Sequence, residues 1–200
     1  MKHALDLFSG TGSATKAFEE HPDWEVTKVE LDESFEADMH EDVSNLEPED
    51  FDKDFDFIWA SPPCTKFSVA AIGHHWDKTN DNYYPEKKEC VDAVNLVYHT
   101  LYLVNRLDPD YWVMENPRAM LRKIIGMPAG TVTYCQYGDN RMKPTDLWGD
   151  LPEGFEFKSC SNGSSCHDSA PRGSQTGTQG MSDAEERARV PYGLSKAILD

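Results

Sequence analysis

Short apolar segments alternate with helical ones through about residue 135, and this alternation constrains the fold more than any other feature. The predicted strands lie near residues 3–8, 24–30, 55–60, 110–115 and 130–136. A long helix is predicted from Pro85 to Leu107, with Val91, Val94, Tyr98, Leu101 and Val104 as its apolar face. Such alternation is typical of a mostly parallel sheet flanked by helices, so the sequence predicts an α/β fold.

The third predicted strand ends at a rigid turn that carries a cysteine. Residues 55–60 run into Ser61-Pro62-Pro63-Cys64. Consecutive prolines fix φ and remove two backbone donors, so the turn should be stiff and Cys64 held in place. Ligand chemistry gathers at the carboxyl ends of strands in open α/β sheets. Cys64 is therefore a candidate nucleophile, although a free cysteine is also often a small buried apolar residue.

The first strand runs into a glycine turn, Phe8-Ser9-Gly10-Thr11-Gly12, before a predicted helix. Glycines let the backbone approach a ligand closely, and a helix start offers unpaired N–H groups. Glu30 ends the second strand about 20 residues later, the spacing at which a carboxylate meets ribose hydroxyls in nucleoside-binding domains. Thr15 stands where the third glycine of a dinucleotide fingerprint would be, so that pattern is incomplete.

The fourth predicted strand ends at Glu115-Asn116, and Pro117 then suits the first turn of a helix. With the preceding segments, this acidic strand end completes a resemblance to the cytosine-C5 DNA methyltransferase family. The matching segments are Phe8–Gly12 for the first motif, Pro62-Pro63-Cys64 with Phe67-Ser68 for the nucleophile motif, Glu115-Asn116 for the acidic motif, and Gln136-Tyr137-Gly138 through Arg141 and Lys143 for the basic motif. The resemblance covers about residues 3–145 in the right order, with a fainter match over residues 190–195.

The resemblance implies a Rossmann-like, S-adenosylmethionine-dependent methyltransferase fold and methylation of carbon 5 of cytosine in DNA. Carbon 5 is a poor nucleophile, so a thiolate must first attack carbon 6. Cys64 would be that thiolate, Glu115 would protonate the ring nitrogen, and Arg141 would brace the ring carbonyl and hold the acid in place. Amino-directed methyltransferases have an aromatic residue after a similar double proline, so Cys64 favours carbon as the target.

The same resemblance implies S-adenosylmethionine as methyl donor and S-adenosylhomocysteine as product. Glu30 would hold the ribose, Leu31 would lie against the adenine, and Asp42 would face the adenine amino group. The cofactor-binding residues implied in this way are Asp6, Phe8, Ser9, Gly10, Thr11, Gly12, Ser13, Glu30, Leu31, Asp42 and Pro62. The DNA contacts are predicted at Lys66, Ser68, Lys143 and Arg172.

The charge of the chain is unevenly distributed. A net charge of −17 is awkward for a protein that should bind DNA. However, residues 1–57 hold 18 acidic and four basic side chains, whereas residues 111–149 hold three acidic and five basic ones. We therefore expect the acidic side chains to lie mainly on the cofactor-binding half (residues 1–57) and the DNA-binding half (residues 111–149) to be mildly basic. An acid-rich surface would also suit a salt-loving host.

Length and cysteine usage predict one intracellular domain. The 200 residues suffice for one domain with a sizeable core. Five cysteines at irregular spacing fit a reducing compartment, and no segment resembles a signal peptide or membrane span. We expect a monomeric cytoplasmic protein, in the host-cell cytoplasm if it is viral, whose partner is double-stranded DNA and which does not associate with a membrane.

The region after Trp148 departs most from the family, whose members usually carry a separate target-recognition domain. We expect a single domain (1–200) with a catalytic and cofactor-binding core over 1–148, a reduced target-recognition segment over 149–180 and a C-terminal helical segment over 181–200 that returns to the core. Residues 69–84 lack a clear period and are predicted to be a mobile loop beside Cys64. Cys135, Cys160, Cys166 and His167 could hold zinc, but their spacing matches no standard finger, so no metal site is predicted.

The sequence thus predicts a compact DNA cytosine-C5 methyltransferase of a viral or mobile-element type. A target base in a duplex must be flipped out, which needs compensating contacts. With so little chain for recognition, we expect a target of about 2–4 base pairs. Two alternatives stay open: methylation of RNA cytosine by the same chemistry, and a cofactor-binding module that needs a partner for target recognition or turnover.

Overall fold

A computed structural model of the protein describes residues 1–79, 82–168 and 183–200. The strands are β1 (Lys2–Leu7), β2 (Trp24–Glu30), β3 (Met39–His40), β4 (Phe57–Ala60), β5 (Trp76–Thr79), β6 (Asn82–Pro85), β7 (Tyr111–Pro117), β8 (Gly130–Thr133) and β9 (Pro144–Asp150). The helices are α1 (Lys16–Glu19), α2 (Val69–His75), α3 (Lys88–Leu107), α4 (Leu121–Ile124), α5 (Ala184–Ala188) and α6 (Tyr192–Leu199).

Seven strands form one mostly parallel sheet in the order β3-β2-β1-β4-β7-β9-β8. Strands β3, β2, β1, β4 and β7 run parallel, and β9 runs antiparallel to both of its neighbours. With helices against the sheet, this is an α/β architecture, and the predicted fold class is confirmed. From β1 the chain first moves outward to β2 and β3 and then returns to β4 and β7 on the other side. That reversal places a ligand crevice at the carboxyl ends of β1 and β4.

The two faces of the sheet bury alternate side chains of the same strands. Phe57 and Trp59 pack with residues of α1 and α6 on one face. Ile58 and Ala60 pack with residues of α3 on the other. Because both faces of β4 are covered, the whole strand is apolar, and the sequence marks it clearly.

The long helix α3 is confirmed, but its predicted apolar face is partly wrong. Val91 and Tyr98 are 42% and 51% exposed, whereas Val97 and Thr100 are fully buried. Thr100 can lie in the core because its hydroxyl donates to the carbonyl of Leu96, four residues earlier (2.8 Å). Because Thr100 is polar, it was not counted as part of the apolar face. The face predicted for α3 is therefore rotated around the helix axis relative to the buried face.

Residues 69–79 and 82–85 form regular structure where a loop was predicted over 69–84. Helix α2 is followed by a hairpin of β5 and β6. Trp76 is buried, and its indole N–H donates to the carbonyl of Lys66 (2.7 Å), two residues after Cys64. A two-turn helix and two four-residue strands are too short to produce a clear hydrophobic period. The prediction of a loop without regular structure is therefore wrong.

Strand β9 was not predicted, because its first residues are polar. Asp146 is fully buried, and Arg122 neutralises it with hydrogen bonds of 2.8 Å from Nε and 2.5 Å from Nη2. The prediction that Pro117 begins a helix is also wrong. Pro117 ends β7 opposite Thr145, a strand end where a missing backbone donor is tolerated.

Within the described part of the chain, no helix combines the length and the apolarity needed to cross a membrane.

Candidate active site

The turn that carries Cys64 is tied to two neighbouring strands. The amide of Ser61 donates to the carbonyl of Leu7 at the end of β1 (3.1 Å). The side-chain amide of Asn116 on β7 donates to the carbonyl of Pro62 (2.9 Å). These bonds hold the double proline between the carboxyl ends of β1 and β7, and Cys64 begins a single 3₁₀ turn directly after it. The stiff turn expected from the sequence is present.

A buried acid lies close to this thiol. Glu115 on β7 is 6% exposed, and the Tyr134 hydroxyl donates to its Oε1 (3.0 Å). The Lys143 ammonium lies 4.0 Å from the same oxygen and donates to the carbonyl of Arg187 (3.1 Å). Glu115 is thus held in one orientation by a phenol and a largely buried cation.

The charges of this group act on Cys64. Burial raises the pKa of the Cys64 thiol, and the nearby Glu115 carboxylate raises it further. Lys143 and Arg187 act in the opposite direction and lower it. The structure therefore brings Cys64 and Glu115 together, as the sequence predicted, and the net effect of burial and these charges is a raised pKa of the thiol.

The Arg141 side chain binds Asp139 and the C-terminal segment. Its Nε donates to both oxygens of Asp139 (2.8 Å each), and its Nη1 donates to the carbonyl of Glu186 (2.7 Å). Nη2 donates to Asp139 and to the carbonyl of Arg189 (3.2 Å). Arg141 therefore fastens its own loop to the C-terminal segment.

Lys143 is one of the residues that the sequence analysis predicts to contact DNA. Its side chain is 11% exposed and turned towards Glu115, so it is poorly placed for an external phosphate. The sequence analysis did not identify Tyr134 or Arg187 as part of the site. Tyr134 lies just before the basic motif, but a single aromatic residue there gave no signal of its hydroxyl contact. Lys66 and Ser68 lie in and just after the Cys64 turn, and Arg172 lies outside the described residues.

The glycine turn and the acidic strand end are joined directly. The amide of Gly10 donates to Glu30 Oε2 (2.8 Å), and the amide of Asp32 donates to Glu30 Oε1 (3.0 Å). Gly10 has φ +49°, and Phe8, which is bulkier, has φ +64°. A positive φ at Phe8 is unusual for a large side chain and is imposed by this sharp turn.

The crevice at this turn has the chemistry for a nucleoside ligand. The Ser9 hydroxyl is buried and has no hydrogen-bond partner among the described residues. A Cβ built on Gly10 would meet nothing within 4 Å, so there is open space over the turn. Leu31 is 63% exposed next to Glu30. Asp42 caps a 3₁₀ turn by accepting from the amide of Ser44 (2.9 Å). An orphaned hydroxyl, a carboxylate and an exposed apolar side chain fit a ribose and a base.

The remaining residues of the turn support it from within. Asp6 is fully buried and accepts from the Thr15 hydroxyl (2.7 Å), so it braces the turn from beneath. Burial raises the pKa of Asp6 to about 7. The amide of Gly12 donates to the Ser9 carbonyl (2.8 Å), and Thr11 is exposed beside it. Thr15, which interrupts the glycine pattern in the sequence, is thus a structural partner of Asp6.

The C-terminal segment closes on the same turn. The amide of Val190 donates to the Ser13 hydroxyl (3.0 Å), and the amide of Ala17 donates to the Ser195 hydroxyl (3.1 Å). Gly193 approaches so closely that a Cβ there would lie 2.3 Å from the carbonyl oxygen of Tyr137. Helix α6 therefore packs on α1 beside the glycine turn.

Comparisons with known proteins identify the family of this chain. Residues 3–126 match the family described as C-5 cytosine-specific DNA methylase. The chain is 32% identical over 168 residues to a Frog virus 3 (isolate Goorha) protein named "Probable DNA (cytosine-5)-methyltransferase", covering 81% of this chain and 76% of that protein. This viral relative fits the viral type expected from the sequence.

One solved structure shares the fold. It is a prophage-encoded protein (E. coli) named as a DNA modification methyltransferase, with a TM-score of 0.53 and 19% identity. The match covers 80% of this chain and 52% of that one, so the chain spans about half the length of this structural relative. From the sequence matches, this chain belongs to the C-5 cytosine-specific DNA methylase family.

Proposed function

We propose that the protein methylates carbon 5 of cytosine in DNA, with S-adenosylmethionine as donor and Cys64 as covalent nucleophile. The observation that carries this proposal is the Cys64 turn, tied by Asn116 to the strand that bears Glu115. A thiol and a buried acid, held on neighbouring strands at the carboxyl edge of the sheet, supply the two groups that the reaction needs.

In the proposed reaction the Cys64 thiol releases its proton to water and its sulfur bonds to carbon 6 of a flipped-out cytosine, while Glu115, once protonated, delivers a proton to the ring nitrogen. The electron pair released into the ring makes carbon 5 nucleophilic. Bound S-adenosylmethionine would supply the methyl group and depart as S-adenosylhomocysteine. The ring nitrogen then returns its proton to Glu115, carbon 5 loses its proton to water, and the bond between sulfur and carbon 6 breaks, so that sulfur leaves as a thiolate with the electron pair.

Lys143 takes the supporting role that the sequence analysis gave to Arg141. Its ammonium lies beside Glu115 and lowers the pKa of Cys64. It would therefore stabilise the thiolate and keep the acid oriented. Tyr134 would fix the other side of the carboxyl through its hydroxyl. Arg141 would act at a distance by holding the loop that presents Lys143.

The donor would bind over the glycine turn. Ser9 offers a free buried hydroxyl, Glu30 offers a carboxylate for the ribose, and Leu31 offers an apolar surface for the base. Asp42 would face the amino group of the adenine. The partner would be duplex DNA, and we infer that the protein acts in the cytoplasm, that of the host cell if it is viral.

The decisive experiment compares the parent protein with Cys64→Ser. We expect the variant to lose methyl transfer from labelled donor to duplex DNA while keeping donor affinity, because serine is a far weaker nucleophile in this setting. Cys90→Ala, which removes a buried thiol on α3, is the control and should retain turnover. The parent should also form a covalent adduct with 5-fluorocytosine DNA, since no proton can leave the fluorinated carbon.

Turnover by purified Cys64→Ser would contradict the covalent mechanism. Single strands and transfer RNA serve as parallel substrates in the same assay. Transfer confined to transfer RNA would favour the RNA alternative. Donor binding without transfer to any substrate would favour a module that needs a partner.

A further inference from the structure

Four soft-metal ligands meet at one point outside the active site. They are Cys135, Cys160, Cys166 and His167, and their ligand atoms all lie within 4.8 Å of one another. Cys135 comes from the 3₁₀ turn after β8, and the other three come from the segment that follows β9. The fold thus brings Cys135 next to three residues that lie 25 to 32 positions later in the chain.

Three of the four measured spacings lie within about 0.2 Å of those in a tetrahedral zinc site, and the Cys135–Cys160 sulfur pair is closer than that geometry requires. Cys135 Sγ lies 3.1 Å from Cys160 Sγ and 3.7 Å from Cys166 Sγ. His167 Nδ1 lies 3.6 Å from Cys160 Sγ and 3.7 Å from Cys166 Sγ. Zn–S bonds of about 2.3 Å and a Zn–N bond of about 2.0 Å at tetrahedral angles require separations of about 3.8 Å between sulfurs and about 3.5 Å between sulfur and nitrogen. Three thiols and an imidazole also form one of the standard closed ligand sets of structural zinc.

The surroundings of the cluster suit thiolate ligands. The side-chain amide of Gln136 donates to Cys166 Sγ (3.3 Å), which would stabilise negative charge on that sulfur. The Thr133 hydroxyl accepts from the amide of Cys160 (3.0 Å) and holds that part of the loop on β8. Hydrogen bonds from S–H groups are weak, so they would contribute little to holding three cysteines and a histidine together.

We propose that Cys135, Cys160, Cys166 and His167 bind one zinc ion that fastens the 158–168 segment to the catalytic core. Zinc binding would displace the three thiol protons, leaving a thiolate at each cysteine. The same segment is bound at both ends, because Thr133 N donates to the Lys158 carbonyl (3.1 Å) and Asp168 N donates to the Asn140 carbonyl (2.9 Å). Between these points the described chain holds few apolar side chains, so a metal would supply the order that a core cannot.

The ligand cluster lies next to residues that support Glu115, so a bound ion would have a structural role near the proposed active site. Cys135 directly follows Tyr134, the residue that holds Glu115. Asn140, which pairs with the segment, belongs to the loop of Arg141. The zinc would thus fix the frame on which the acid and its loop rest. This proposal does not depend on the methyltransferase activity.

The test measures the metal content of the full chain after it is expressed in cells supplied with zinc and purified under reducing conditions. We expect about one zinc per chain by mass spectrometry, and thiolate-to-metal charge-transfer bands after exchange for Co²⁺. Cys166→Ser and His167→Ala should each weaken zinc affinity at least about 10-fold, the loss that even a supporting residue can cause. Cys166 is exposed, so its substitution should leave the fold intact by circular dichroism. Cys64→Ser is the matched control: it removes a thiol outside the cluster and should keep full zinc content.

Metal-free parent protein that also fails to take up zinc on titration would overturn the proposal. So would a Cys166→Ser variant that binds zinc as tightly as the parent, or a Cys135–Cys160 disulfide found by mass mapping after preparation under reducing conditions. Because zinc content is measured without turnover, loss of the zinc site and loss of the proposed activity are separate outcomes.

Discussion

The two halves of the crevice differ in how they are assembled. On the cofactor side, Gly10 and Glu30 are 20 residues apart and bond directly across two neighbouring parallel strands. On the proposed catalytic side, Glu115 contacts Tyr134 and Lys143, and Lys143 in turn donates to the Arg187 carbonyl, so three later parts of the chain take part. The first arrangement follows from a short pattern of strand, glycine and acid. The second depends on the antiparallel return of β9 and on the C-terminal segment.

This difference explains where the sequence analysis succeeded. A local motif specifies both its residues and its geometry, so the Cys64 turn and the glycine turn lie where they were expected. A long-range cluster specifies residues without saying which of them meet. Arg141 and Lys143 are two residues apart and carry the same charge, and only packing decided which one faces Glu115.

The largest expected effects test the catalytic half. Glu115→Gln should lower turnover about 10²- to 10⁴-fold, the usual contribution of a general acid. The same change removes a negative charge beside Cys64 and should lower its pKa, so alkylation by iodoacetamide at fixed pH becomes faster. Lys143→Gln should have the opposite effect on alkylation, because it removes a cation. Peptide-resolved mass spectrometry measures both rates.

Lys123→Gln is the control for this pair, since it removes an exposed charge on α4. It should leave alkylation of Cys64 unchanged. If Glu115→Gln and Lys143→Gln shifted alkylation in the same direction, the electrostatic arrangement around Cys64 would be wrong.

A smaller effect tests the cofactor half. Glu30→Ala should weaken S-adenosylmethionine binding by about 1–3 kcal/mol, the usual cost of losing a charge-assisted hydrogen bond. Glu30→Gln keeps an acceptor for the Gly10 amide and separates support of the turn from contact with the ligand. Calorimetry gives the affinities, with Glu33→Ala as an exposed acidic control. Unchanged affinity in Glu30→Ala would remove Glu30 from the ribose site.

The last expected effect concerns stability and Asp6. An unfolded aspartate ionises near pH 3.8, whereas burial keeps folded Asp6 protonated to about pH 7. The unfolded state therefore releases its proton first as pH rises, and the free energy of unfolding falls between these values by up to about 1.4 kcal/mol per pH unit. Asp6→Asn should remove that slope in urea unfolding from pH 5 to pH 8. A parent slope equal to that of the variant would show that Asp6 ionises normally.

Position within the fold shows what the motif pattern leaves open at Asp6 and Thr15. Asp6, which the resemblance implies as a cofactor-binding residue, is buried under the turn and accepts from the Thr15 hydroxyl. Both residues lie within the motif, so the pattern marks them without giving their side-chain direction. Ser9 was already predicted to bind the cofactor, and the structure adds that its hydroxyl is buried and has no hydrogen-bond partner among the described residues.

The sequence by itself determined the α/β class, the parallel strands β1, β2, β4 and β7, the edge strand β8 and the two motif turns. Short apolar strands, prolines and glycines restrict the backbone near their own positions, so a local pattern suffices to predict them. The tertiary structure decided β9, whose buried Asp146 needs Arg122, and the antiparallel pair of β5 and β6, which are too short to show a period. It also decided that Lys143 faces Glu115 and that Cys135 meets Cys160, Cys166 and His167. Contacts between distant residues depend on how the whole chain packs, and no local pattern encodes them.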